Sequence, residues 1–151
     1  MAATVALAVD AALTSAFSAA NTAVGSTSPD RVSVYRAMIP GIPTNRYCVI
    51  YAGHPNRQNS TTDGLSRDGV GAFQVTCAAT APDTNRAADL CDWMVRATLD
   101  ALVDQVLTVD GWQPFVVQQD YVDTYPVAVE VVSGRDTVEQ ALRFTFLTDR
   151  I

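Results

Sequence analysis

GAFQVTCAATAPDTNRAADLCDWMVRATLDALVDQVL, residues 71–107, places two different periodicities side by side. In its first part Phe73, Val75 and Cys77 point one way and Gln74, Thr76 and Ala78 the other, which predicts a strand over Ala72–Ala79. The period then changes to 3.6. Ala87, Leu90, Cys91, Met94, Val95, Thr98, Leu99, Leu102, Val103 and Val106 share one stripe, with Arg86, Asp89, Asp92, Arg96, Asp100 and Asp104 opposite. Asp83 or Thr84 is placed to accept from the first-turn amides. A long helix from about Thr84 to Leu107 follows, with a charged outer face. Each large stripe residue contributes about 1.5–3 kcal/mol when fully buried, which makes this helix the main packing element over a sheet.

The flanks supply that sheet. Tyr47–Ala52, YCVIYA, is apolar on both faces and suits a central strand covered on both sides. Upstream, Val5, Val9, Leu13, Phe17 and Ala20 line one face of an amphipathic helix expected over Ala2–Ala23, which Gly25 and Pro29 end. Arg31–Met38 is a short strand candidate, after which Pro40, Gly41 and Pro43 break the chain. Downstream, Phe115–Gln119, Val127–Val132 and Leu142–Thr148 are further strand candidates. Asp136–Gln140 admits a helical turn as well, because Thr137 and Gln140 match a capping box. The expected fold is α+β: one domain over residues 1–151, with a mostly antiparallel sheet packed against an N-terminal helix and one long central helix.

The composition limits the functional classes. Apolar residues make up 48% and charged residues 17%, which suits a packed core rather than a disordered chain. The net charge is −6, the acidic excess lies after residue 50, and all ten basic residues are Arg. A net acidic chain without a basic run grips phosphates poorly. The apolar start, MAATVALAVDAALTSAF, has no Arg before Arg31 and is interrupted by Asp10, so neither a secretory signal nor a membrane span is expected. Three cysteines, Cys48, Cys77 and Cys91, form no CxxC spacing; free thiols in a cytosolic setting are expected.

Few residues offer chemistry. His54 is the sole histidine, at the end of the Tyr47–Ala52 strand, and no nucleophile–acid spacing surrounds it. Cys48 would serve as a nucleophile only if its strand end were open. Gly64, Gly69 and Gly71 lack the Lys-Thr and helix start of a phosphate loop. No His, Cys and acid cluster has metal-ligand spacing. Asp89, Asp92, Asp100 and Asp104 line a helix face of the solvated kind. No catalytic residue, metal or cofactor is therefore assigned.

Three segments in order resemble the tail-terminator proteins of long-tailed, siphovirus-type bacteriophages. They are Pro43-Thr44-Asn45-Arg46-Tyr47-Cys48-Val49-Ile50-Tyr51, a Pro-led apolar strand closing on Tyr; Gly71-Ala72-Phe73-Gln74-Val75-Thr76-Cys77-Ala78-Ala79-Thr80; and the following helix, Asn85-Arg86-Ala87-Ala88-Asp89-Leu90-Cys91-Asp92-Trp93-Met94. The resemblance covers roughly residues 30 to 110. It implies a homo-oligomeric ring, usually a hexamer, on the head-proximal end of the tail tube in the virion, assembled in the host cytoplasm. Such a ring stops tube polymerisation and gives the head-completion or neck protein its docking surface. Its implied partners are copies of itself, the major tail-tube protein and that neck protein, with DNA only as passing cargo and no membrane. The rival readings are another neck or head–tail joining protein and, from a different class, a small enzyme using Cys48 or His54.

One stretch stands apart from the pattern. His54–Val70 is polar, with only Leu65 and Val70 large and apolar, and is expected to form a long loop at about 54–70. Structureless loops beyond roughly 12–15 residues are uncommon unless functional or disordered. We expect an arm that meets a neighbouring subunit or the tail tube, with Arg57, Asn59, Asp63, Arg67 and Asp68 as contact residues; the alternative is a surface loop without a role.

Overall fold

The computed structural model describes residues 4–41, 43–53, 56–58, 68–120, 126–132, 135–149 and 151. Its first element is α1, Val5–Val24, capped by Thr4, whose hydroxyl accepts from the Leu7 amide at 3.2 Å. Val5, Val9, Leu13 and Phe17 are buried along one face, the stripe expected from the sequence. Gly25, at φ +91°, ends the helix in backbone space that a side chain would strain. Strand β1, Val32–Arg36, comes next. Asn21 clamps it to the helix end: its amide nitrogen donates to the Val32 carbonyl at 2.9 Å, and its amide oxygen accepts from the Val32 N–H at 2.7 Å.

The sheet continues with β2, Arg46–Ala52, β3, Asn56–Gln58, and β4, Asp68–Ala81. Then come α2, Thr84–Leu102, and two short strands, β5, Val106–Leu107, and β6, Phe115–Val116, which pair with each other. The chain closes with β7, Gln118–Gln119, β8, Val127–Val132, and β9, Arg135–Asp149. The main sheet runs β1-β2-β4-β9-β7, with β3 paired to β4 and β8 to β9. β1 lies parallel to β2 and every other pairing is antiparallel. The expected α+β architecture is the observed one.

Both helices cover one sheet face. Cys48 and Ile50 on β2, Phe73, Val75 and Cys77 on β4, and Leu142 and Phe144 on β9 lie within one core with the α1 stripe and with Ala87, Cys91, Met94 and Leu102 of α2. Phe73 and Phe144 are stacked at 5.0 Å between ring centroids, across a register that sets them directly opposite. Leu90 and Leu99 of the predicted stripe flank the core partly buried.

At four places the described residues depart from the sequence reading or decide between its alternatives. The α2 helix stops at Leu102 rather than Leu107: Val103 is extended, and Asp104 at φ +61° turns the chain so that its amide donates to the Val117 carbonyl at 2.9 Å. The apolar residues beyond it, Val106 and Leu107, serve β5, where β-branched and apolar residues suit a strand as well as a helix. Phe115–Gln119 is two strands in two sheets rather than one. Asp136–Gln140 is the start of β9 and not a helical turn; the Thr137 hydroxyl pairs with that of Thr80 at 2.7 Å across the ladder. The polar stretch at 54–70 is not wholly a loop, because its ends form β3 and the first residues of β4.

Candidate interaction surfaces

The sequence-predicted contact residues divide in two. Arg57 lies on β3 opposite Gly69, and Asp68 opens β4, facing Gln58 on one side and Asp149 on the other. The ladder thus brings these two positions to the far end of one hairpin. Asn59, Asp63 and Arg67 lie outside the described residues, as does His54. Cys48 is on the helix-covered face at 0% exposure, so its strand position is closed rather than open. Its thiol sits 3.7 Å from that of Cys77; this contact, followed by burial, pushes the Cys48 thiol well above its ordinary value. Burial likewise pushes Cys91 up to about 12. Thiols held protonated in a dry core are poor nucleophiles. Among the described residues no group of His, Cys, Asp and Glu is placed to hold a metal ion, and no helix is long and apolar enough to cross a membrane.

Two concave surfaces among the described residues bear on contacts with a partner. One, of about 660 Å³, lies beside the β3–β4 hairpin and is lined by Gly71, Ala72, Pro114, Phe115, Val116, Gln118, Thr145, Phe146 and Leu147. Its floor is the Phe115–Phe146 stack, at 4.2 Å between centroids. Gly71 makes that stack possible: a Cβ there would meet the Phe146 ring at 2.2 Å. Leu147 and Val116 leave 72% and 45% of their surface exposed at the rim. In the sequence Gly71 lacks a phosphate-loop context and opens one of the resembling segments; its pairing with Phe146 depends on a register that is invisible in one dimension.

The second surface, of about 560 Å³, is on the sheet face away from the helices. The register arranges it in rows. Val49, Thr76 and Ala141 form the floor; Tyr47, Ala78 and Glu139 lie on one side, and Tyr51, Gln74 and Arg143 on the other. Ile39, from the connection between β1 and β2, and Val127 of β8 close its ends. Burial and then the charge of Glu139 raise the Tyr47 hydroxyl above its ordinary value. The YCVIYA pattern signals this surface in part, since it demands apolar partners on both faces.

The fold is a mixed sheet with both helices on one face. A chain from a virion shares it. A solved structure described as the virion of a native gene transfer agent (GTA) particle contains a chain that superposes at a TM-score of 0.50, with 18% identity, covering 95% of this chain and 95% of that one. At that identity the likeness is one of fold. A second solved chain, 20% identical, covers 90% of this chain and 91% of its own at a TM-score of 0.42. No protein-family model and no curated protein matches the sequence.

Proposed function

We propose that this chain is a structural protein of a phage-type particle, and that it forms a ring capping the head-proximal end of a tail tube. The ring stops tube polymerisation and offers the docking surface for the head. The observation that carries the reading is the full-length fold likeness to a virion chain. The resembling segments strengthen it, because they fall on β2, β4 and α2, the elements that build the covered face of the sheet. The buried cysteines give no support to an enzyme using Cys48. A tube end has rotational symmetry, so its cap closes by heterologous contacts into a ring, a hexamer if the resemblance to tail terminators holds. In this reading the partners are further copies of the chain, the tail-tube protein and the neck protein. The hairpin end carrying Arg57 and Asp68 is proposed as one contact, with Asn59, Asp63 and Arg67 beyond it.

Deleting the gene from its particle and imaging the products tests this reading. Overlong or irregular tails without heads are the expected result. Tails of normal length that fail to join heads would favour a neck protein instead, and normal particles would overturn both.

A further inference from the structure

The open sheet face is symmetric in a way that its sequence does not announce. On β9, Glu139 and Arg143 stand two residues to either side of Ala141 and share its face. That places each about 7 Å from Ala141, at roughly 3.4 Å per residue. On β2, Tyr47 and Tyr51 stand in the same relation to Val49. The face therefore reads tyrosine, small floor, tyrosine on one strand and acid, small floor, base on another. Among the described residues neither Glu139 nor Arg143 has an ion-pair partner.

The burial pattern is unbalanced on this side. β2 carries the composition of a strand covered on both faces; Val49 and Ala78 of this face are indeed buried, at 1% and 0%, yet around them Tyr51 keeps 43% of its surface exposed, and Ile39 and Val127 keep 42% and 57% at the ends of the groove. A partner of uniform charge would be repelled by either Glu139 or Arg143. A partner that presents a base opposite Glu139 and an acid opposite Arg143, at this same spacing, is complementary to both.

We infer that the outer sheet face docks on the same face of a second copy of this chain. A two-fold axis lying between the sheets, perpendicular to the strands and passing over Ala141, sets the two β9 strands antiparallel, one above the other. Glu139 of each copy then faces Arg143 of the other. Tyr47 faces the second copy's Tyr51, and the floor row faces its own equivalent. This is an isologous contact, in which a residue meeting a different residue is met by it in return. The face spans only three strands, β2, β4 and β9, and about five residues of each, so the contact belongs to the small, concentration-dependent class. It is independent of the ring reading, because a ring closes by heterologous contacts and a face-to-face pair does not. A two-fold contact would instead hold the free chain as a dimer or join two rings back to back.

Sedimentation of the purified chain over a wide concentration range tests this, with three variants. Wild type shows a monomer–dimer equilibrium. Glu139→Arg and Arg143→Glu each weaken it by about tenfold, because like charges then face each other at both ends. The double variant, Glu139→Arg with Arg143→Glu, restores it to within about threefold, which a merely destabilised fold would not do. Bis-maleimide cross-linking with a reach of about 10 Å, the spacing of stacked sheets, gives an independent readout: two Ala141→Cys thiols add across its two double bonds and join the copies, while Leu147→Cys thiols stay unjoined. A strict monomer overturns the inference. So does a double variant no better than the single ones, or cross-linking through position 147 in place of 141. Failure of tail capping with the charge-swap rescue intact would overturn the ring and leave the two-fold contact standing.

Discussion

On β2, Cys48 and Ile50 turn toward the helices and are 0% and 1% exposed, whereas Tyr51, one residue on, turns the other way and keeps 43%. The same alternation runs through β4 and β9: Phe73, Val75, Leu142 and Phe144 face α1 and α2, while Gln74, Thr76, Ala141 and Arg143 face outward. One face is thus finished within the monomer; on the other Val49 and Ala78 are covered, at 1% and 0%, while Tyr51 beside them is not. The difference separates residues that the fold needs from residues available for contact. Substitutions on the helix side should cost stability, and those on the outer side should cost association.

The strongest challenge to that division is a charge on the finished face. Met94 of α2 is 0% exposed, and Met94→Asp buries a carboxylate with no cation near it in the core cluster. A loss of more than about 4 kcal/mol is expected, enough to unfold most of the population in a thermal melt. Leu99→Asp, on the same stripe, should be milder, because Leu99 is only partly buried. Equal melts for the two would break the assignment of the core face.

Gly71→Ala tests the junction between the faces. The added Cβ enters the Phe146 ring, which stacks on Phe115 and is itself in the core, so the ring has little room to yield. Overpacking of this kind costs about 1–3 kcal/mol. Phe146→Leu in the Gly71→Ala background should cost less than it does alone, and strict additivity in denaturant titrations would show that the contact is not shared.

Alkaline pH separates the faces more gently. The Cys91 thiol is raised to about 12, from the usual 9, chiefly by burial. The unfolded chain releases that proton first, so the protonated native state is favoured below pH 9 and its advantage shrinks as pH rises from about 9 toward 12. The melting temperature should therefore fall more between pH 9 and 11 in wild type than in Cys91→Ala. A parallel fall in both would contradict a dry environment for this thiol.

Smallest of all should be the exposed ion pairs. Arg96 and Asp92, at 3.0 Å on the solvent side of α2, are 77% and 59% exposed. Arg96→Ala should change stability by less than about 1 kcal/mol in a chemical melt. Tyr51→Ser on the open sheet face should also leave the melt nearly unchanged while weakening self-association. A large destabilisation there would mean that the outer face is already structural in the monomer.

Much of the finished face was legible in one dimension. The stripes Val5–Val9–Leu13–Phe17 and Ala87–Cys91–Met94–Leu102 are periodic because a helix must bury one side, and the alternation of Phe73, Val75 and Cys77 is that of a strand. The misreadings arose where local pattern and tertiary partner compete. Val106 and Leu107 extend the helical period but are taken by β6, and Thr137 is claimed by Thr80 across the ladder rather than by a helix start. The rows of the outer face could not be read at all, since Tyr47, Ala78 and Glu139 become neighbours only through the register of three strands. YCVIYA gave the one sign that this face wants a cover.

The capping role itself is tested most directly by adding the purified chain to polymerising tail-tube protein and measuring tube length by negative-stain electron microscopy. Rings at one tube end are expected, with an arrest of growth at a length that falls as the chain is added earlier. Tubes that elongate at the same rate with and without it, and carry no density at their ends, would contradict it.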